Sequence, residues 1–366
     1  MQLSEILENY PEFSLASQSD NQDILDFFHR HQMKTDGLQI YYDRGDDFFK
    51  HLATQGENIF VFLYRNDKGE VKGIGTISVR EQIVNESVHK VLYLGDLRSE
   101  TSRDVSKKWK ELYSRMMTCI NEIDEFSSQY NFTVIMHSNL RAIKALVKNQ
   151  NKFDYIFLDN FEMVNVFCKI PLYFSKPKYQ VSSLKAKDEL RAFLNSEGIK
   201  YQLGLNYELF LKRFEAYQGL KEENVLVIRD KNQVIGMTIL WNPSPQKRII
   251  LRNLPSYLKA FNMLLSLFTF APKVNSELKV NYLNDLIISD QYDKSQVLKS
   301  IMLYLHKKGE FSRYHSLAFA SFKKDPLHLT GFLQDKTKLL FYTVKSGDKT
   351  ELLDFNKNLN FNLSWV

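Results

Sequence analysis

Apolar and polar positions follow two different periods along the chain. Short runs such as "NIFVFLY" from Asn58 and "VLYLGDL" from Val91 have the β-branched and aromatic content that is typical of strands. Longer stretches such as residues 102–126 place apolar residues three and four positions apart, which predicts amphipathic helices. Strands and helices mixed in this way predict an α/β or α+β unit with helices on both faces of a sheet.

The first part of the chain predicts ten elements. In order they are strand 13–17, helix 21–32, helix 46–54, strand 58–64, strand 71–79, strand 90–98, long helix 102–126, strand 132–137, helix 140–148 and strand 155–167. The later part of the chain predicts the same order again.

Matching segments support this tandem repeat. "VKGIGTI" from Val71 resembles "VIGMTIL" from Val234, and "FFKHLATQG" from Phe48 resembles "FLKRFEAYQG" from Phe210. "YLGDLRSETSRDVSKKWK" from Tyr93 aligns without gaps on "YLNDLIISDQYDKSQVLK" from Tyr282, which places Asp96 on Asp285. Matches in the same order rarely arise by chance, so we predict two copies of one unit.

The offset between the copies changes along the chain. It is 163 residues between Val71 and Val234 and 189 between Tyr93 and Tyr282. An insertion therefore lies in the second copy, and the apolar stretch near 255–277 fits it as a helix. We predict a first domain at 1–172, a second at 178–350 and a tail at 351–366, with a proline-containing linker near 169–180.

Composition narrows the function classes. The 366 residues carry a formal charge of +6 with acids throughout, which suits a basic patch for an anionic ligand better than a nucleic-acid-binding surface. Two cysteines are too few for a disulfide scaffold, which favours a reducing cytoplasm. His137 and His328 have no ligand-spaced partners, so we assign no metal. We expect no signal peptide, and the longest apolar run, 260–271, is too short to span a bilayer.

Two stretches resemble the GNAT superfamily of acyl-CoA N-acyltransferases. "YLGDLRSE" followed by "TSRDVSKKWKELY" is similar to that family's fourth strand, pyrophosphate-binding loop and third helix. "HSNLRAIKAL" from His137 is similar to its fifth-strand exit, where an Asn and an Ala begin the next helix, here Asn139 and Ala142. The resemblance implies two tandem GNAT-like domains, each a mixed, mostly antiparallel sheet flanked by helices.

The resemblance also implies transfer from acetyl-CoA or another acyl-CoA to a small-molecule or peptide amine, with the cofactor in the first domain. The family loop reads Arg/Gln-x-x-Gly-x-Gly/Ala. The nearest match here is Arg103-x-x-Ser106-x-Lys108 or, one residue later, Asp104-x-x-Lys107-x-Trp109, and neither has a glycine. Leu146 stands where the family often has a Tyr that protonates the departing thiolate. The residues that the resemblance assigns to the cofactor are Leu97, Arg98, Ser99, Arg103, Asp104, Val105, Ser106, Lys107, Lys108, Asn139 and Ala142.

The loop before the long helix has two interpretations. A helix N-terminus favours a pyrophosphate, and the hydroxyls and cations of 99–108 would add hydrogen bonds and charge. The alternative is an N-capped helix on the solvated surface. The corresponding stretch of the second copy, "DQYDKSQVL", has one cation and two acids, which disfavours a second cofactor site.

Asp96 is the candidate general base, because it is a carboxylate in an otherwise apolar strand beside the bulge that the resemblance implies. Two structural roles are alternatives, namely an ion pair with Arg98 and hydrogen bonds to the backbone at the bend. Asp285 repeats the acid while Ile287 replaces the arginine, so the ion pair would explain one copy only.

Residues 40–49, "IYYDRGDDFF", lie where this superfamily usually builds its acceptor wall. Tyr41, Tyr42 and Arg44 suit a polar or carboxylate-bearing acceptor, and an ordinary turn with Asp46 capping a helix is the alternative.

The leading hypothesis is a cytoplasmic N-acyltransferase. The alternative is a non-catalytic protein in which two such domains bind a ligand or a protein partner. A nucleic-acid-binding module has support only from the basic charge, and self-association into a homo-oligomer stays open.

Overall fold

The computed structural model describes residues 1–31, 39–148, 154–170, 173–253, 263, 272–345, 350–354 and 356–365. They form a large sheet with helices on both faces and a smaller sheet of three strands. Alternate residues of one strand enter opposite cores, Phe62 on one face and Val61 on the other. The α+β class predicted from the sequence is confirmed.

The first half keeps the predicted order of elements and adds α1 and β2, which the sequence analysis did not predict. Its elements are α1 (Leu3–Leu7), β1 (Phe13–Leu15), α2 (Asn21–Arg30), β2 (Gln39–Asp43), α3 (Phe48–Leu52), β3 (Asn58–Arg65), β4 (Val71–Val84), β5 (Ser87–Ser99), α4 (Arg103–Thr118), β6 (Tyr130–Met136), α5 (Leu140–Ala142, continued as a π-helical turn over Ile143–Lys148) and β7 (Asp154–Lys169).

The second half has a similar series. Its elements are β8 (Gln180–Ser183), α6 (Lys187–Ser196), α7 (Tyr207–Ala216), β9 (Val225–Asp230), β10 (Gln233–Trp241), β11 (Arg248–Asn253), β12 (Ser276–Glu277), β13 (Val280–Ile288), α8 (Lys294–Lys307), α9 (Glu310–Arg313), β14 (Ser316–Phe322) and β15 (Phe332–Lys345). This half adds β11, β12 and α9, and its described residues form no helix between β14 and β15. The helix predicted near 255–277 falls mostly on 254–262 and 264–271, which lie outside the described residues.

α4 is shorter than the predicted 102–126. Ser102 caps its start by accepting the N–H of Val105 at 3.1 Å, and the helix ends at Thr118. The apolar spacing continues beyond that end, but those side chains reach the same core from a 3₁₀ turn and the loop after it: Ile120, Ile123 and Phe126. The periodicity identified the buried residues correctly and overextended the helix.

The two halves exchange strands at the centre of the large sheet. Its order is β1-β3-β4-β5-β6-β15-β7-β14-β13-β10-β9-β8. β15 of the second half lies between β6 and β7 of the first, and β7 pairs in turn with β14. The division into domains at 1–172 and 178–350 therefore stays a prediction. It describes the sequence repeat, whereas hydrogen bonds of the large sheet connect the two ranges.

A smaller sheet also joins the halves. β2 of the first half pairs antiparallel with β11 of the second, and β11 pairs with β12. The candidate acceptor segment thus starts on a strand that the second half holds in place.

Both halves carry the same irregularity at the same position. Asp96 and Leu97 of β5 oppose the single residue Gly75 of β4, because the register shifts there. The register of β10 against β13 shifts at the aligned position, so that residues 285–286 oppose Thr238 alone. Two residues opposite one define a β-bulge. The predicted tandem repeat is confirmed.

The predicted tail at 351–366 is not a surface extension. Phe361, Leu363 and Trp365 are buried in a core with strands of both halves. The Asn362 side chain accepts the backbone N–H of Asp285 at 2.8 Å and donates to the Asp285 carboxylate at 3.2 Å. We call residues 359–365 the C-terminal segment, and Val366 lies outside the described residues.

None of the described helices combines the length and apolar composition that a bilayer crossing requires. Cys119 and Cys168 are both buried and free. The cytoplasmic location stays a prediction.

Replacing Asn362 with Ala should lower the free energy of unfolding by about 2–4 kcal/mol, because it leaves buried polar groups of Asp285 without partners. Asn358→Ala is the matched control, since that side chain donates to Asp290 at the exposed surface. Urea denaturation of both variants measures the difference. Equal stability of the two variants would contradict the structural role of Asn362.

Candidate active site

The parallel strands β5 and β6 pair over only three residues and then separate. Residues 91–93 pair with 130–132, although both strands continue beyond them. At the point of separation the Thr133 hydroxyl donates to the Leu94 carbonyl at 2.7 Å. The second half has the same arrangement, with 280–282 of β13 paired to 316–318 of β14. Each half therefore contains a gap between two parallel strands.

The bulge beside each gap has left-handed backbone at its aspartate. The φ angle is 45° at Asp96 and 50° at Asp285. Asp and Asn adopt this region more readily than other non-glycine residues, although it remains costly. The bulge turns the strand locally, so the end of β5 leaves the ladder it shares with β6.

A buried arginine pairs with each of these aspartates. Arg44 Nη2 lies 2.7 Å from Asp96 Oδ1, and their side chains are 3% and 11% exposed. Arg213 of α7 pairs in the same way with Asp285, which also accepts from Asn360 at 2.9 Å. Arg98, the partner considered in the sequence analysis, lies over the ring of Phe28 at 4.3 Å, and the Asp96 charge counteracts the lowering of its pKa by burial. The aspartate therefore has the same structural role in both copies, namely an ion pair with a buried arginine at the bulge.

The gap of the first half opens into a cavity of about 180 Å³. One wall, which we call the charged wall, consists of Tyr42, Arg44, Asp96, Arg98 and Lys247. A second, the apolar wall, consists of Phe62, Ile77, Trp109, Met116, Ile135 and Leu146. Such a combination suits a ligand that carries both a polar reacting group and an apolar part.

The gap of the second half is largely filled. The C-terminal segment enters it, and the cavity left there measures about 50 Å³. Lys294, at the start of α8, lies 2.7 Å from Asp290 and also pairs with Asp325. The gap between the strands is therefore open in the first half and occupied in the second, where an open cleft of about 690 Å³ remains outside it at the start of α8.

The start of α4 lies at the open end of β5. Within the described residues, the backbone N–H groups of Arg103 and Asp104 have no hydrogen-bond partner, as is usual for the first turn of a helix. Ser106 donates its hydroxyl to the Ser102 carbonyl at 2.7 Å. Lys107 is 72% exposed and Lys108 pairs with Glu12 at 2.8 Å.

α5 approaches the same loop. Asn139 caps it by accepting the Ala142 N–H at 3.1 Å, and both residues line the cavity. Arg141 donates to Thr101 at 2.9 Å, which brings a further cation next to the loop. Sequence reasoning missed Arg141, because its relation to Thr101 depends on two segments 40 residues apart.

The candidate acceptor residues separate into two groups. Tyr42 and Arg44 line the cavity. Tyr41 points elsewhere, with its ring centroid 5.4 Å from that of His29. The helix after this segment is capped by Asp47, which accepts the Phe49 N–H at 2.9 Å, and not by Asp46.

Thr76 of the cavity and the buried polar residues beside it gave no clear sequence signal. Thr76, Ser78 and Arg80 alternate with Ile77 and Val79 along β4, and Gln82 continues this polar face, which normally indicates a solvated strand face. All four polar residues are at most 4% exposed, because the second half and the C-terminal segment cover them. Lys247 and Trp365 reach the cavity from sequence positions that carry no motif.

Burial and neighbouring charge shape this region. His51 is fully buried, and neither ring nitrogen has a hydrogen-bond partner among the described residues. Burial, with Lys247 and Arg44 nearby, holds the pKa of His51 well below 6.5. Burial and Arg44 likewise lower the pKa of Lys247 well below 10.5. Burial and the Arg44 guanidinium therefore favour the neutral forms of both groups.

The sequence matches no family model and no curated protein. Solved structures do match it over most of its length. The Saccharomyces cerevisiae N-myristoyltransferase with bound myristoyl-CoA matches with a TM-score of 0.52 and 11% identity, over 95% of this chain and 89% of that one. A tandem GNAT protein from the clavulanic acid biosynthesis pathway matches with a TM-score of 0.52 and 8% identity, over 92% and 99% of the two chains. The chain has the tandem GNAT fold.

Residues 93–113 and 137–146 resemble the GNAT superfamily in sequence, and the match to solved structures confirms the fold that this resemblance implies. The open gap, the bulge and the start of α4 belong to the first GNAT-like half. The roles assigned to individual residues there stay predictions.

His51 should make the protein sensitive to acid. Its pKa is lower in the folded chain than in the unfolded chain, so the unfolded chain binds the proton first as the pH falls below 6.5. Above pH 6.5 the imidazole is neutral in both states and does not reduce the free energy of unfolding. Below that pH the free energy of unfolding falls by up to about 1.4 kcal/mol per pH unit.

We therefore expect the melting temperature of His51→Gln to fall less than that of the wild type between pH 7 and about pH 5. His328→Gln is the control, because that side chain is exposed. Identical pH dependence of wild type and His51→Gln would contradict this assignment.

Proposed function

We propose that the protein transfers an acyl group from an acyl-CoA thioester to an amine, with the cofactor bound in the gap between β5 and β6. The observation that supports this most is the contrast between the open, lined gap of the first half and the filled gap of the second. In the reaction the amine nitrogen bonds to the thioester carbonyl carbon and the C–S bond breaks. The amine gives up a proton and the departing thiolate takes one up.

The thioester carbonyl lies along β5 in this proposal. Beyond Tyr93 the ladder to β6 ends, so backbone groups that point into the gap are available to a ligand. Fixed backbone donors that face a developing oxyanion stabilise it without reorganisation. The bulge at Asp96 and Leu97 sets the direction of those groups.

The pyrophosphate lies at the start of α4. The N–H groups of Arg103 and Asp104 face outward there, and the helix dipole adds to them. Because the loop has no glycine, fewer backbone groups reach the phosphates, and Lys107, Lys108 and Arg141 supply the charge. The other residues that the family resemblance assigns to the cofactor are Leu97, Arg98, Ser99, Val105, Ser106, Asn139 and Ala142.

The acyl group lies against the apolar wall. These side chains suit the hydrocarbon part of an acyl group, which shares the cavity of about 180 Å³ with the acceptor amine.

Asp96 is proposed as the proton acceptor. Both aspartates anchor a bulge, but Asp285 is 1% exposed and its two oxygens bond to Arg213, Asn360 and Asn362. Asp96 lines the open cavity and bonds to Arg44 through Oδ1, which leaves Oδ2 for an incoming amine. Only the first copy can therefore combine the structural role with proton transfer.

The alternative is a non-catalytic binding protein. It is favoured by the start of α4, where the Ser102 and Ser106 hydroxyls already bond within the helix, and by Leu146 at the position of the family acid. Measuring whether the wild type binds acyl-CoA distinguishes the two hypotheses.

Isothermal titration with acetyl-, butyryl- and octanoyl-CoA at low salt should detect binding, which should weaken as salt is added. Lys107→Glu with Lys108→Glu should weaken it about a hundredfold or more, because two favourable charges become repulsive. Lys187→Glu with Lys221→Glu changes the net charge equally, on exposed lysines of the second half, and should leave binding intact. No binding of any acyl-CoA to the wild type would overturn the proposal in favour of the alternative.

Asp96→Asn should lower kcat by about 10²–10⁴ while acyl-CoA still binds, because the amide cannot accept the proton. Asp285→Asn should lower the melting temperature and leave kcat per folded molecule unchanged. Steady-state kinetics beside thermal denaturation measures both effects. Full activity of Asp96→Asn would show that Asp96 only holds the bulge and does not accept the proton.

A further inference from the structure

Two guanidinium groups and one carboxylate of the charged wall lie close together. Arg44 pairs with Asp96 at 2.7 Å, and the Asp96 charge also acts on Arg98. Guanidinium groups keep their charge, so they attract an anionic group of a ligand.

Arg44 has unused donors in this wall. It is 4% exposed, and its Nε and Nη1 groups have no hydrogen-bond partner among the described residues, while Nη2 donates to Asp96. Thr76 is 3% exposed, lines the same cavity and likewise leaves its hydroxyl without a partner. Buried donors left unpaired are costly, so their presence in a cavity wall points to a ligand that accepts hydrogen bonds.

A carboxylate matches these donors. It is anionic, it accepts several hydrogen bonds, and guanidinium groups bind it through charge-assisted bonds. Phosphate would also match in charge, but the amine acceptor must enter the same cavity of about 180 Å³ together with the acyl group. A compact carboxylate leaves room for both.

The Arg44 guanidinium also favours the reactive form of the acceptor. Only the neutral amine is nucleophilic, and a nearby cation lowers the pKa of an ammonium group. A carboxylate bound at Arg44 thus holds the acceptor next to Asp96, which takes up the ammonium proton.

We propose that the acceptor is an amine with a carboxylate close to it, as in a free amino acid, and that Arg44 and Thr76 bind this carboxylate. The proposal rests on the proposed acyl-CoA-dependent transfer. It excludes polyamines and the N-terminus of a protein as preferred acceptors, because neither has a carboxylate beside the amine.

The experiment compares matched acceptors that differ only in this group, namely free amino acids and their C-terminal amides, with the preferred acyl-CoA. We expect kcat/KM for the acid to exceed that for the amide at least about tenfold. Arg44→Gln should reduce this ratio about tenfold to a hundredfold, because charge-assisted hydrogen bonds are lost. Thr76→Val keeps the ion pair of Arg44 with Asp96 and should reduce the ratio by a smaller factor.

Arg213→Gln is the matched control. Arg213 is equally buried and also pairs with an aspartate, but it does not line the cavity, so the ratio should not change. A ratio of two substrates is independent of how much enzyme is folded, so loss of stability does not imitate the effect. If Arg44→Gln does not fold, the inference is tested by the acid-to-amide ratio of kcat/KM in the wild type and by its change in Thr76→Val.

Preference for amides or polyamines, or a ratio unaffected by Arg44→Gln and Thr76→Val, would overturn the inference. If acyl-CoA binds and no carboxylate-bearing amine is acylated, the inference also fails while the cofactor site stands. If no acyl-CoA binds to the wild type in calorimetry, the proposed function itself fails.

Discussion

A buried arginine holds an aspartate in left-handed backbone at the bulge of each half, and the site depends on that constraint. Such a backbone costs about 1–3 kcal/mol for a non-glycine residue, so surrounding contacts must fix it. Asp96 is fixed by Arg44 and Asp285 by Arg213, with Asn360 and Asn362 added in the second half. A buried ion pair contributes little net stability, but losing one partner is costly. Its role here is therefore geometric, because it keeps the strand turned away from its parallel neighbour.

One unit repeated twice gives two different outcomes. The gap of the first half stays open and lined on two sides, whereas the C-terminal segment enters the gap of the second half. The exchange of β7 and β15 then joins the halves in one ladder, so neither half has a complete sheet alone. The charged wall also crosses the halves, since Arg44 and Asp96 come from the first and Lys247 from the second. The lining of the cavity is therefore shared between the two halves.

The missing glycines have a physical consequence for the cofactor. Glycine lets a loop backbone approach phosphates closely, and this loop has side chains at those positions. In the proposed cofactor site, long cationic side chains take the place of those backbone contacts, and Lys107 among them is 72% exposed. Exposed charges are screened by salt, so recognition of this kind is weaker and more dependent on ionic strength than recognition by backbone N–H groups.

The sequence by itself determined the elements, the repeat and the correspondence of Asp96 with Asp285, because periodicity and short motifs are local properties of the chain. It also identified Asn139, Ala142, Tyr42 and Arg44, which do line the cavity. Only the tertiary structure decided that Asp96 pairs with Arg44. In a regular strand Arg98 would share its face, but the bulge breaks that alternation. The buried polar face of β4 and the path of β15 between β6 and β7 were likewise decided by contacts between distant segments. Local patterns specify which residues prefer burial, and the partner that buries them is set only when the whole sheet assembles.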